Sequence, residues 1–355
     1  MSVRKNSSLL LPALCMCALG CGDELPDITE IEGLRVLGAR STVVDDDSLR
    51  ATPQEGETVE VGFQLASPDP LRDNDDIASI FIDCTYPDRF TGLPLCQEFF
   101  DLAAMIDPDM VEVSDGDLEA VKCFEDNEFV FEGVHGSCVI GDPKVEVPVF
   151  DGSDPLKLVR GVICERGTPF FDARTPELFG CDLREGGTEI LVHGSIPVAV
   201  GGEGHNDNPD FDEIALKLNG RPWSAVAAAD LPPANDCKGQ VDETGLLAVD
   251  PFDHALWIEV DADSPIREVV DGVREDLEFS LYATAGEVGR RFSVFEGIDE
   301  GEDGVLRTTV PWVAPDVDDV PDGGQLVTLY LTVLDRRGGF DVAVRHACVF
   351  SGDAI

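Results

Sequence analysis

Two short stretches of this sequence set histidine beside serine, His135-Gly136-Ser137-Cys138 and His193-Gly194-Ser195. A serine activated by a neighbouring base is the nucleophile of acyl-transfer hydrolases, and such a serine often sits on a sharp strand-to-helix turn written G-x-S-x-G. Neither stretch has that spacing, and both lie in strand-like surroundings. Each is therefore read as a turn serine beside a partly exposed histidine. No H-E-x-x-H, P-loop or dinucleotide fingerprint occurs. Paired carboxylates serve glycoside hydrolysis, but among 71 acidic side chains any two can be paired on paper, so the pattern selects none. No catalytic residue is assigned.

Calcium is the one cofactor for which the residues offer a chemical case. It takes roughly six to eight oxygens from carboxylates, amides and loop carbonyls. Three acidic loops concentrate such groups: Asp69, Asp73, Asn74, Asp75 and Asp76; Asn206, Asp207, Asn208, Asp210 and Asp212; and Asp316, Asp318, Asp319 and Asp322. The candidate ligands are Asp207, Asn208, Asp210 and Asp212 in one loop and Asp316, Asp318 and Asp319 in another. The competing reading is a set of solvated acidic turns. Asp299 to Gly304 (DEGEDG) opens like an EF-hand, but its twelfth position is Val310, where that loop needs a bidentate glutamate.

The charge balance sorts partners. With 25 Lys+Arg against 71 Asp+Glu the formal net charge is −46; loss of Arg4 and Lys5 with a signal peptide would make it −48. Such a field repels a phosphate backbone, which excludes nucleic acid. Hydrophobic residues make up 43% of the chain, enough for real cores.

Arg4 and Lys5 precede the uncharged apolar run Leu9 to Gly20 (LLLPALCMCALG), which is too short for a bilayer span and reads as a secretory signal over residues 1–20. The run ends Ala18-Leu19-Gly20-Cys21, which resembles the lipobox of bacterial lipoproteins. That resemblance implies cleavage before Cys21 and acylation of its thiol, so the membrane is a partner through an N-terminal lipid. Gly22 follows in place of the aspartate that retains some lipoproteins at the inner membrane, and the expected address is the outer membrane or cell surface. An ordinary cleavage nearby would instead release a soluble product.

An exported chain folds in an oxidising compartment. Beyond Cys21, eight cysteines remain, Cys84, Cys96, Cys123, Cys138, Cys164, Cys181, Cys237 and Cys348. With no C-x-x-C pair and scattered histidines they read as four disulfides rather than a zinc site. Pairing by sequence neighbours joins Cys84 to Cys96, Cys123 to Cys138, Cys164 to Cys181, and Cys237 to Cys348.

The elements that must carry these groups are strands. Val59, Val61, Phe63 and Leu65 alternate with polar or small residues. Ile214, Leu216 and Leu218 do the same, as do Leu277, Phe279, Leu281 and Ala283, and Val327, Leu329, Leu331 and Val333. Gln97 to Ile106 and Asp117 to Phe124 suggest short helices inserted in the first half. The expectation is an all-β chain of two β-sandwiches, Ig-like by the resemblance given below. A tether spans 21–32, a cysteine-rich sandwich region 33–230, a Pro-Pro linker 231–236 and a second sandwich 237–355, with residues 186–230 open to forming a separate unit. Trp223, Trp257 and Trp312 are expected in cores.

Leu281 to Val288 (LYATAGEV), Pro311 to Pro315 (PWVAP) and Leu331 to Gly339 (LTVLDRRGG) resemble Ig-like or PKD-like domains of bacterial surface lipoproteins. Glu32 to Arg40 (EGLRVLGAR) with Gly56 to Val59 (GETV) is similar to the first strands of such proteins. The resemblance implies a sandwich fold and a surface address, and brings no catalytic residues. The function expected is a non-enzymatic, membrane-anchored module that binds a protein or glycan, or plays a structural part, through its acidic loops. The alternative is an exported hydrolase with its site in residues 84–190.

Overall fold

Period-two alternation forces one apolar face on an extended chain, and two such faces bury each other as a sandwich. The computed structural model of the protein describes residues 29–44, 46, 49–54, 56–69, 76–85, 127–131, 134–138, 144–146, 156–171, 179–197, 205–261, 264–270, 272–290, 292–295 and 304–350. The strands in chain order are β1 (Arg35–Val43), β2 (Thr58–Ala66), β3 (Ile77–Thr85), β4 (Asn127–Phe131), β5 (Val134–Cys138), β6 (Lys144–Glu146), β7 (Leu156–Phe171), β8 (Phe179–Pro197), β9 (Ala215–Leu218), β10 (Arg221–Pro222), β11 (Leu247–Val249), β12 (Asp253–Asp261), β13 (Val269–Val270), β14 (Val273–Arg274), β15 (Leu277–Ala283), β16 (Glu287–Val288), β17 (Phe292–Phe295), β18 (Val305–Val313), β19 (Gln325–Leu334) and β20 (Phe340–Val349). The fold is all-β. The two helices expected near residues 97–124, and Cys96 and Cys123, lie outside the described residues.

The second sandwich stacks the sheet β10-β9-β12-β18-β16 on the sheet β11-β20-β19-β15-β17. The pairs β9-β12-β18 and β20-β19-β15 repeat the A-B-E and G-F-C neighbours of an immunoglobulin-like sandwich, and β11 pairs parallel with β20. In β15 every second side chain is buried. Leu216, Leu218, Leu256, Ile258, Leu306, Val310 and Trp312 of one sheet meet Leu277, Phe279, Leu281, Val327, Leu329, Leu331 and Val333 of the other. Trp312 is fully buried, and its indole N–H donates to Ala285 O at 3.1 Å. The adjoining Gly286 has φ +83°, and an added Cβ would run into Val313 O and the Trp312 indole nitrogen. Gly286→Ala is expected to cost about 2 kcal/mol through this strain and overpacking; an unchanged urea midpoint would show that the corner relaxes freely.

The first sandwich places β1-β2-β6 against β4-β5-β3-β7-β8. Its core joins Val43, Val59, Val61 and Phe63 to Phe81, Val159, Ile163, Val192 and Ile196, with the Phe63 and Phe81 rings stacked 5.0 Å apart. Residues 179–197 run as one long strand, β8. It pairs with β7 from Leu156↔Pro197 to Phe171↔Phe179, with a shift between Glu165 and Gly167. Cys164 and Cys181 are bonded across that shift, and Cys237 is bonded to Cys348 in the second sandwich. Cys84 and Cys138 stand on β3 and β5.

The second sandwich begins before the Leu231–Asp236 stretch. Ala215 to Leu218 pair with Leu256 to Glu259, and Phe211, Ile214 and Trp223 join the same core. Two adjacent prolines read as a linker, but here they lie within one sandwich, with Pro232 buried and Pro233 exposed. The strand that completes the sheet precedes them.

The sandwiches share a seam. Alternation predicts that Thr328, Tyr330 and Thr332 of β19 face solvent, yet all three are buried. Tyr330 packs with Ile31 and Ala66, and its hydroxyl donates to Ser67 O at 2.8 Å while accepting from Ser67 N at 3.1 Å. At the other end Arg40 Nη1 meets Asp341 Oδ1 at 2.6 Å. One face of β19 thus serves the sandwich core, and Tyr330 on the other meets the first sandwich.

Candidate functional site

The densest polar cluster among the described residues lies at the far end of this seam, where the strap 205–212, the β19–β20 turn and the β13–β14 hairpin meet. Asn and Asp side chains bond readily to nearby backbone, so an Asn-Asp-Asn-Pro-Asp run forms a fixed strap instead of a regular element. The Asn208 amide donates to Ser41 O at 2.7 Å and to Leu49 O at 2.8 Å, and its Oδ1 accepts from Phe340 N at 3.0 Å. Asn206, fully buried, donates to Asp335 Oδ2 at 2.8 Å, and its carbonyl accepts from Ala51 N at 2.7 Å. Asp335 holds the turn by accepting from Arg337 N at 2.7 Å and Gly339 N at 2.9 Å. Glycine is required at 339, because a Cβ there would collide with the Asp335 carboxylate.

Arg337 closes the cluster. Its Nη1 lies 2.7 Å from Glu268 and 3.2 Å from Glu275, and its Nη2 donates to His205 O. Glu268 also accepts from Asp207 N at 2.9 Å. Burial is the main influence on Glu275, whose carboxyl is pushed up to about 7 despite its hydrogen bond from Glu268 N and the nearby Arg337. Burial also raises the Asp341 carboxyl, against the hydrogen bond from Phe211 N and the charge of Arg40. On the loop beneath, Glu57 receives Arg50 in a two-pronged contact, 2.7 Å on each oxygen, and this pairing holds its carboxyl below the usual range.

The sequence-selected ligands separate in this geometry. Asp207 converges with His205 and Glu268, their ligand atoms all within 4.8 Å of one another, the only such group of three among the described residues. Glu268 there is already engaged by Arg337. Every polar atom of the Asn208 side chain is spent on backbone. Asp210 accepts from Asp212 N at 2.9 Å and caps the short 3-10 turn Phe211–Glu213, leaving Asp212 exposed. Asp316, Asp318 and Asp319 are exposed on a separate turn closed by Asp319 N donating to Asp316 O at 2.9 Å. Thermal unfolding in calcium and in chelator, at matched ionic strength, is expected to differ by less than about 1 °C; binding at a hundredfold excess over Kd would instead add roughly 2.7 kcal/mol.

The two histidine–serine stretches stand in β5 and β8, in extended chain. Sequence reasoning missed Arg50, Glu268, Glu275, Asp335 and Arg337. Nothing local in Asp335-Arg336-Arg337-Gly338-Gly339 shows that a strap some 130 residues earlier fills this turn.

Two open surfaces complete the inventory. A hollow of about 320 Å³ on the outer face of β1 and β2 has Gly62 in its lining, with Arg40, Thr42, Glu60 and Gln64 around it. On the outer face of β12, Trp257 is 38% exposed between Lys217 of β9 and Thr309 of β18. It was expected in the core, as Trp223 and Trp312 are. Its neighbours Leu256 and Ile258 take the inward positions, and strand parity turns Trp257 outward. Beside it Glu259 is gripped by Lys217 at 2.6 Å and Arg307 at 3.1 Å, and the Lys217 contact leads in lowering its pKa.

A scan against protein-family models finds no match to this chain, and a search of curated proteins finds none either.

Proposed function

We propose that the chain is an exported, lipid-anchored protein of the outer membrane or cell surface, a member of the lipoprotein class its Ig-like motifs resemble. Its paired sandwiches act as a binding or structural body without chemistry of their own. The observation that supports this best is the pairing of an N-terminal export segment with cross-strand disulfides, bonds that persist where the compartment is oxidising. The rigid seam is what a presenting scaffold needs, since contacts are made best by loops and faces on an immobile frame.

Exposure favours one part of the surface for a partner. Most of the 206–212 strap is engaged in internal hydrogen bonds, which favours the exposed Asp316–Asp319 turn together with the Trp257 face as the contact surface. A protein or glycan partner meets there an acidic loop and an aromatic ring beside fixed charges.

Mass spectrometry of the mature N-terminus, from protein extracted from membranes, should find diacylglycerol on Cys21. An unmodified Cys21, or cleavage at another bond, would sink the anchor. Cross-linking on intact cells should then capture the partner through Asp318 or Trp257 replaced by a photoreactive residue.

A further inference from the structure

The segment Thr29 to Ile31 is built into the fold. Ile31 N donates to Ala283 O at 2.8 Å and Ala283 N donates to Thr29 O at 3.0 Å, so that Glu30 bridges Ala283 in parallel register. Ile31 is buried with Ala66 of the first sandwich and Tyr330 of the second, Leu37 and Tyr282 packing beside them. Arg35 lies over the Tyr282 ring at 5.2 Å. The chain is therefore pinned to both sandwiches at once, at one end of their seam.

Cys21 stands only eight residues before Thr29. Fully extended, eight residues reach at most about 28 Å. We infer that the Thr29 end of the seam, with Glu32, Ser67 and Thr284 around it, is the membrane-facing side of the protein, and that the clasped end with Arg337 and the β13–β14 hairpin points away. The inference rests on the lipid anchor proposed above and adds to it a fixed orientation.

The register supplies the separation. Ala283 is opposite Leu329, and β19 runs on to Leu334 before the turn that bears Arg337. Five residues at about 3.3 Å each carry the chain roughly 17 Å from the pinned end, and the hairpin lies beyond. With both sandwiches held to the same leader, neither is free to swing outward on a linker of its own. The whole body stands at one height over the bilayer, and the exposed Val273 at the hairpin is presented outward.

The test labels the lipidated full chain with a fluorophore at Glu32→Cys or at Val273→Cys, both exposed positions, and places it in zwitterionic vesicles containing a nitroxide-headgroup lipid. Quenching is expected to be several-fold stronger at position 32 than at position 273, with urea midpoints of both labelled chains matching the parent. Equal quenching, or stronger quenching at 273, in protein that floats with the vesicles would overturn the orientation alone. Failure to float, with Cys21 unmodified, would overturn the anchor and the orientation with it.

Discussion

Replacing Cys237 and Cys348 together by alanine is expected to lower the stability of the second sandwich by nearly 5 kcal/mol. The bond closes a loop of sequence separation 111 that contains β11 to β19 and most of β20. In the chain-entropy account, a loop of about 100 residues restricts the unfolded state by close to 4.7 kcal/mol, against about 3 kcal/mol for one of 15. The Cys164–Cys181 bond spans only 17 residues, so its removal should cost less by between 1 and 2 kcal/mol, roughly, on the same scale. Packing adds to the difference. Both sulfurs of the longer bond lie in a buried cluster with Leu246, Leu326 and Phe350, which alanine would leave underfilled. Urea unfolding of the two double variants beside the parent gives the comparison. Equal losses, or the larger loss at 164/181, would show that native strain or residual unfolded structure outweighs loop length here.

The second large effect is a pair of opposed pH dependences. Glu275 ionises at about 7 in the fold, against an ordinary 4.5. A carboxyl whose folded pKa is raised binds protons more tightly in the native state, so its contribution is intact below pH 4.5 and is lost as pH rises through 7. His346 is buried on β20, its Nδ1 3.1 Å from the Thr328 hydroxyl; burial first, and then the charge of Arg345, bring it down to about 4 from 6.5. A base whose folded pKa is depressed favours the native state above pH 6.5 and loses that contribution as pH falls through 4. Each shift corresponds to about 3 kcal/mol across its window. The windows overlap with opposite sign, so the two groups together should leave the parent's stability nearly flat between pH 5 and 6.5. Glu275→Gln should unmask the histidine, giving a protein that weakens steadily on acidification. His346→Gln should unmask the glutamate, giving one that strengthens on acidification. Urea midpoints taken at half-unit pH steps measure both. If the two variants keep the parent's profile, the groups titrate normally and are hydrated in the fold.

How much of this was legible follows from where the information sits. The period-two pattern of Leu277–Ala283 names its buried face correctly, because one face of β15 meets the core and local hydropathy reports that contact. The same pattern in β19 misleads, since Tyr330 is buried against Ala66 and Ser67 of a sandwich whose strands come some 260 residues earlier. No window along the chain contains both. Trp257 fails for a different reason: composition assigns a tryptophan to a core, while strand parity, set by Leu256 and Ile258, assigns it to the outside. The bonds Cys164–Cys181 and Cys237–Cys348 follow from neighbour pairing because the strands between them close locally into sheets. In the 206–212 run the acidic and amide residues looked like ligands for a cation. The structure uses its amides as donors, Asn208 to the Ser41 and Leu49 carbonyls and Asn206 to the Asp335 carboxylate, a role composition does not distinguish from coordination. Glu275 and Arg337 were invisible as a pair, since each alone is one charge among many.

The seam also dictates an order of events in folding. Arg40 and Asp341 are 301 residues apart, and the Tyr330–Ser67 contact spans 263. Closing loops of that length is slow, and their entropy is recovered only once both sides present finished surfaces. Each sandwich must therefore assemble its own sheets before the two can dock, and β20, which carries Asp341, must already be paired with β19. Until the two dock, Tyr330 of β19 and the Ile31 pocket are open to solvent. That interval, rather than any weakness of the finished molecule, is when the chain is most exposed to wrong pairing, and a heavy surface charge that keeps undocked copies apart serves it most then.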